Sequence, residues 1–222
     1  MKRRSIAWLV VISLAFLRNA SGQGFVNLNF EDAQIIPIAG SPIYPYAIAT
    51  TNALPGWTVY TGASQPAQAI TYNAPALGST WVNLWATNGQ QIDGNFSVLL
   101  QGGITASSAS ISQTGLIPVS TKSLLFEAQS GPGVVAGSLV VSLGGQIISF
   151  SAISTGPNYI LYGGDISTFA GLTEQLTFST LEGGGNNWNI DDIQFSPSTV
   201  PEPNTLGLIA LGALLFGLRR SK

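Results

Sequence analysis

Ser138-Leu139-Val140-Val141-Ser142-Leu143-Gly144-Gly145-Gln146-Ile147-Ile148-Ser149-Phe150 is two β-rich runs joined by a two-glycine turn. Leu139, Val141 and Leu143 alternate with Val140 and Ser142, the period of a half-buried strand. Paired glycines supply the positive φ angles that tight hairpin turns require. Working outward, the same chemistry predicts strands over 25–30, 57–60, 68–72, 81–85, 96–100, 109–113, 123–128, 159–162, 174–179 and 188–195. Gly, Pro, Asn and Ser clusters separate them, and no sustained 3.6-residue pattern occurs between the two ends. Many short strands in one domain imply an all-β fold, an antiparallel β-sandwich of jelly-roll type.

The ends are different in kind. Lys2, Arg3 and Arg4 precede an apolar run over 6–17, and Ala20, Ser21 and Gly22 follow as small residues. This order is that of a signal peptide spanning 1–22, cut near Gly22/Gln23. At the other end Pro201-Glu202-Pro203 leads into an apolar run over 206–218 and then Arg219, Arg220 and Lys222. Thirteen helical residues rise roughly 20 Å against a hydrocarbon core of about 30 Å. The run is a short membrane helix, suited to holding the chain in the inner membrane transiently, with its basic end on the cytoplasmic side. The expected organisation is therefore 1–22 signal, 23–196 β-sandwich ectodomain, and 197–222 sorting segment.

Trimming both ends changes the electrostatics. Of eight basic residues only Lys122 lies between the two end segments, against nine carboxylates, which gives a net charge of −8. Such a surface excludes nucleic acid as a partner. There is no cysteine and no histidine. Disulfides, Ser-His-Asp and Cys-His catalysis and the zinc sites built on those ligands are thereby excluded, whereas two-carboxylate glycosidase chemistry is not.

Val200-Pro201-Glu202-Pro203, the apolar run and the terminal Arg219-Arg220 pair together resemble the PEP-CTERM sorting signal of Gram-negative bacteria, a segment also labelled the ice-binding protein C-terminal domain. The resemblance implies recognition near Pro201, Glu202 and Pro203 by an exosortase, and export linked to exopolysaccharide or biofilm. Within the ectodomain, Asn27-Leu28-Asn29-Phe30-Glu31, Pro55-Gly56-Trp57 and Trp188-Asn189-Ile190-Asp191-Asp192-Ile193 resemble the opening, early and closing motifs of carbohydrate-binding and galactose-binding-like jelly rolls. In that group a structural calcium uses the opening Glu and a closing Asp, which implies Glu31 with Asp191 or Asp192 here. The rival reading of these carboxylates is that they cap turns and keep strand edges soluble. No cofactor is required on either reading.

Trp57, Tyr60, Tyr72, Trp81 and Trp85 cluster in one third of the chain, with Tyr44 and Tyr46 just before them. Exposed aromatic rings stack on sugars, so Trp57, Tyr60, Trp81 and Trp85 are candidate ligand contacts. Trp81 and Trp85 lie four apart on a strand, hence on one face, which core packing requires equally. The scattered carboxylates show no framed acid/base pair, so no catalytic residue is assigned. The expectation is an exported, exosortase-sorted surface or biofilm-matrix protein with a non-catalytic sandwich that binds polysaccharide. The alternatives are a structural matrix protein without a ligand and a carboxylate-dependent glycosidase or lyase.

Overall fold

The computed structural model describes residues 24–62, 65–76, 78–86, 90–104, 108–131 and 138–200. The signal segment, the Pro-Glu-Pro motif and the apolar run 206–218 lie outside the described residues.

Two sheets face each other. The larger carries β1 (Ala47–Ala49), β3 (Ala69–Tyr72), β4 (Trp81–Ala86), β5 (Phe96–Gln101), β13 (Asn187–Ser196), β7 (Ser123–Ser130), β11 (Ile160–Asp165) and β10 (Ser151–Thr155), in that spatial order. The smaller carries β2 (Thr58–Thr61), β6 (Ala109–Leu116), β12 (Thr173–Thr180), β8 (Leu139–Leu143) and β9 (Gln146–Ile147). All described strand pairs are antiparallel except β3 with β4. The expected all-β sandwich is the fold observed.

The core forms where the inner faces meet. Val82, Leu100 and Trp188 align across one row of the large sheet, and Leu84, Val98, Ile190 and Ala128 across the next. From the small sheet Ile111, Val141, Leu176 and Phe178 come to meet them, each fully buried. Phe126 of β7 packs edge-on against Phe178 of β12, ring centroids 5.2 Å apart, and so joins the sheets. Burying each such side chain stabilises the fold by about 1.5–3 kcal/mol. In a chain without cysteine, this burial is the main stabilising term.

The glycine hairpin joins β8 to β9, with Gly144 at φ +57° and Gly145 at φ +77°. Its second arm is shorter than the run 146–150 predicts. Ile148 still donates to the Val141 carbonyl at 2.9 Å, but β10 then pairs with β11 in the opposite sheet. The chain crosses the sandwich at 148–150 and buries Ile148 on the way.

The strand expected over 25–30 is not one. Asn27 (φ 50°) and Phe30 (φ 58°) are left-handed, which breaks the extended pattern. Instead the segment wraps an end of the sandwich. Asn27 Nδ2 donates to Pro55 O at 3.2 Å, its Oδ1 accepts from Asp32 N–H at 3.1 Å, and its backbone carbonyl accepts the Trp57 indole N–H at 3.0 Å. Leu28 O accepts Ile193 N–H at 3.0 Å. The opening, early and closing motifs read in the sequence are thus stitched together, and their first role is structural.

Candidate functional site

Strand alternation turns the remaining residues of the large sheet outward. Trp81, Asn83 and Trp85 of β4 lie beside Gln101, Leu99 and Ser97 of β5. Asn187 and Asn189 of β13 follow, opposite Gln101 and Leu99. Asp191 then lies opposite Glu127 of β7. This outer face is polar, yet much of it is covered. Asn83, Ser97 and Gln101 are fully buried, and Asn189, Asp191 and Glu127 nearly so.

The cover is backbone from two loops. Ala74 N–H donates to Asn83 Oδ1 at 3.0 Å and Ala76 N–H to Gln101 Oε1 at 2.9 Å. Asn189 Nδ2 donates to Gln90 O at 2.9 Å, and Asp93 N–H to Asp191 Oδ2 at 3.3 Å. The outward amides thus hold the loops down. Among the described residues, Asn83 Nδ2, Ser97 Oγ, Gln101 Nε2, Glu127 Oε2 and Asn189 Oδ1 have no hydrogen-bond partner, which leaves this face with unused hydrogen-bonding capacity.

Where the first loop leaves the sheet it borders a pocket of about 560 Å³, within the range of small-ligand clefts. Ile43, Tyr46, Pro75 and Trp81 form its apolar wall, and Thr71, Ser79 and Thr80 its polar one. Trp81 Nε1 donates to Thr71 Oγ1 at 3.1 Å, and Thr71 Oγ1 donates to Asn83 Oδ1 at 3.0 Å. That chain of bonds fixes the indole plane. Tyr46 stands 46% exposed beside it. No charged side chain is among the described residues that line this pocket.

Of the four aromatic residues singled out in the sequence, only Trp81 and Trp85 share this face. Trp57 is a correction. It is 5% exposed, its ring centroid is 5.7 Å from that of Phe30, and its N–H is bonded within the protein, so it packs the core and offers no stacking surface. Tyr60 stands half-buried on β2, in the other sheet. Sequence reasoning missed Ile43, Thr71 and Pro75, which lie on different elements. Tyr46 was visible only as a neighbour of the aromatic cluster.

The acidic residues form a second locality. Glu31 reaches across to the loop before β5. Its Oε1 accepts Asn95 N–H at 2.7 Å and Phe96 N–H at 3.0 Å, and its Oε2 accepts Asn95 Nδ2 at 2.8 Å. Gly94 permits this approach, because a Cβ there would collide with the Glu31 carboxylate. Asp191 sits at the bulge of β13 between Asp191 and Gln194, and Asp192 takes φ 41° there. Burial, with a smaller push from the Glu127 and Asp192 carboxylates, raises the Asp191 carboxyl to about 8 against the pull of the Asp192 and Asp93 N–H donors. Burial likewise raises Glu127, opposed by its bond to the Tyr159 hydroxyl. Among the described residues no three acidic side chains converge as a metal-binding group. Glu31 in particular serves as a clamp on the N–H groups of Asn95 and Phe96, in the same loop whose Asp93 N–H bonds Asp191.

Comparison with known proteins bears on the far end of the chain. Residues 199–221 match the PEP-CTERM protein-sorting motif. The chain therefore carries the signal that marks a protein for export and sorting at the cell surface. None of the curated proteins matches the chain. Among solved structures, it is similar to the enzymatically active domain of bacteriophage CBA120 tailspike protein 4, at 14% identity and a TM-score of 0.38, over 63% of this chain and 19% of that one. It is also similar to TmCBM27, a carbohydrate-binding module described for specific mannan recognition, at 13% identity and a TM-score of 0.26, over 45% of this chain and 72% of that one. The chain thus spans about a fifth of the length of the tailspike chain it matches.

Proposed function

We propose that this protein is delivered to the cell surface by an exosortase and there binds a neutral polysaccharide, without catalysis, in the pocket beside Trp81. The observation that carries the reading is an uncharged cleft in which a hydrogen-bonded indole and Tyr46 present aromatic faces next to Thr and Ser hydroxyls. Aromatic faces stack on the apolar faces of sugar rings, and hydroxyls orient them. A domain with one lysine between its end segments offers no counter-charge for an acidic polymer, which favours neutral sugars. The non-catalytic part rests on burial. Asp191 has the raised pKa of a general acid, but it is 2% exposed and bonded to two backbone N–H groups.

Affinity electrophoresis of the full chain in gels containing neutral or uronate polysaccharides tests this. Retardation by a neutral polymer, lost in Trp81→Ala with the fold intact, supports the reading. No retardation by any polymer supports a structural matrix role, and release of shortened sugar chains supports an enzyme.

A further inference from the structure

The two ends of the folded domain leave it side by side. Gly24 bridges Leu116, and the Phe25 ring lies 4.7 Å from the Phe195 ring, centroid to centroid. After β13, Ser196 O accepts Lys122 N–H at 2.8 Å and Ser198 O accepts Ser123 Oγ at 2.8 Å. The chain is therefore held against β7 until shortly before the Pro-Glu-Pro motif. In the sequence one apolar run, 6–17, precedes Gly24, and the other, 206–218, follows Val200. The residues 201–205 between Val200 and the second run reach at most roughly 18 Å when fully extended. Two apolar segments from opposite ends of the sequence thus join the sandwich at one pole.

That pole is made by the loops 117–122 and 166–172. Gly171 N–H donates to Ile117 O at 3.1 Å, Ile117 N–H to Leu172 O at 2.9 Å, and Ile166 N–H to Lys122 O at 3.0 Å. On it stand Val119, 85% exposed, and Leu172, 46% exposed. Exposed Lys122, the one cation between the two end segments, lies in the same loop as Val119. Anions at this end of the sheets include Asp165, whose carboxylate accepts Ser167 N–H at 2.8 Å, Glu174 near the start of β12, and Glu31, bonded to the Asn95 and Phe96 N–H groups where β5 begins.

We propose that this pole rests on the phospholipid surface of the inner membrane while the chain is still anchored, with Val119 and Leu172 in the headgroup layer. The proposal rests on the sorting reading above, in which the apolar runs enter the membrane. The occupant follows from the chain itself, because the 206–218 run, which remains after the signal peptide is cut, follows Val200 by only a few residues at this pole. The geometry also orients the ligand site. From Ser196 back to Asn187, β13 rises about 30 Å. Asn187 pairs with Gln101, and Gln101 with Trp81. The pocket therefore opens at the end remote from the membrane. Two apolar side chains are too little to hold a free domain on lipid, so cleavage of the tail releases the surface as well.

The chain has no cysteine, so single labels are clean. The full chain carrying Val119→Cys, Leu172→Cys or Ser79→Cys, each with an environment-sensitive fluorophore, is reconstituted into phosphatidylethanolamine–phosphatidylglycerol vesicles containing nitroxide-labelled lipid. Labels at 119 and 172 should shift to the blue and be strongly quenched. The label at 79, beside the pocket, should do neither. Equal quenching at all three sites, or stronger quenching at 79, overturns the orientation. Flotation with the vesicles but no quenching at 119 and 172 overturns it too, and leaves the sorting reading standing. A chain that does not float with the vesicles overturns the anchoring reading and this proposal together.

Discussion

Raising the pH from about 5 to 7.5 should weaken this fold, with Asp191 responsible for most of the loss. In the folded domain its carboxyl is raised to about 8 by burial, from an ordinary 3.8. Between those values the folded state holds a proton that the unfolded state has released. A raised carboxyl contributes its full share below 3.8, and that share is lost as pH climbs toward 8. With one proton fewer on the unfolded chain, stability falls by about 1.4 kcal/mol per pH unit. Over the window this is on the order of 3 kcal/mol, or roughly 7–12 °C in Tm for a domain of this size. Glu127, also raised by burial, adds to the same slope. Thermal unfolding followed by tryptophan fluorescence across the pH series measures it. Asp191→Asn has nothing to ionise. It gives up one of two N–H acceptors for a pH-independent cost of about 1 kcal/mol, but should flatten most of the slope. A wild-type Tm that stays level or rises over this window would refute the reasoning, as would an Asp191→Asn variant with the wild-type slope.

Glu31→Ala should cost about 1 kcal/mol, chiefly from the part-buried Phe96 N–H, since water can reach the exposed Asn95 N–H, read as a lower urea midpoint. Gly94→Ala should be comparably damaging, because its Cβ meets the Glu31 carboxylate at a positive φ. Since Glu31 works as a clamp, calcium and chelator should give the same Tm. A calcium-dependent rise that Glu31→Gln abolishes would restore the ligand reading of that residue. Trp57→Phe, which loses the indole bond to Asn27 O and part of a buried ring, should lower stability by about 2–3 kcal/mol and leave polysaccharide retardation unchanged. Loss of retardation in that variant would contradict its placement in the core.

Much of the fold was legible because its signals are local. The Gly144-Gly145 turn and the alternation of β8 identify a hairpin from a dozen residues. Three elements were not legible in this way. The segment 25–30 alternates like a strand, but Asn27 and Phe30 take left-handed angles to let the Asn27 amide bridge two other segments. Ala47–Ala49 is too short and plain to announce itself, and becomes a strand by pairing with β3. The run through Phe150 reads as one strand because periodicity cannot show a chain changing sheets.

The site divides along the same line. Trp57, Tyr60, Trp81 and Trp85 look equivalent in the sequence, and the fold sends one to the core, one to the small sheet and two to the outer face. Glu31 and Asp191 do come to the same region, yet each is occupied by backbone donors that no spacing rule foretells.

By itself the sequence determined the sorting motif near the C-terminal end, the acidic character of the stretch between the end segments and the β architecture. All three follow from composition, end segments and short-range periodicity, which need no knowledge of what lies across the molecule. Only the tertiary structure decided which aromatic faces reach solvent, which carboxyls are buried, and that both ends of the domain leave from one pole. Those properties depend on contacts between residues many tens of positions apart, and strand alternation names a side of the sheet without naming its neighbour.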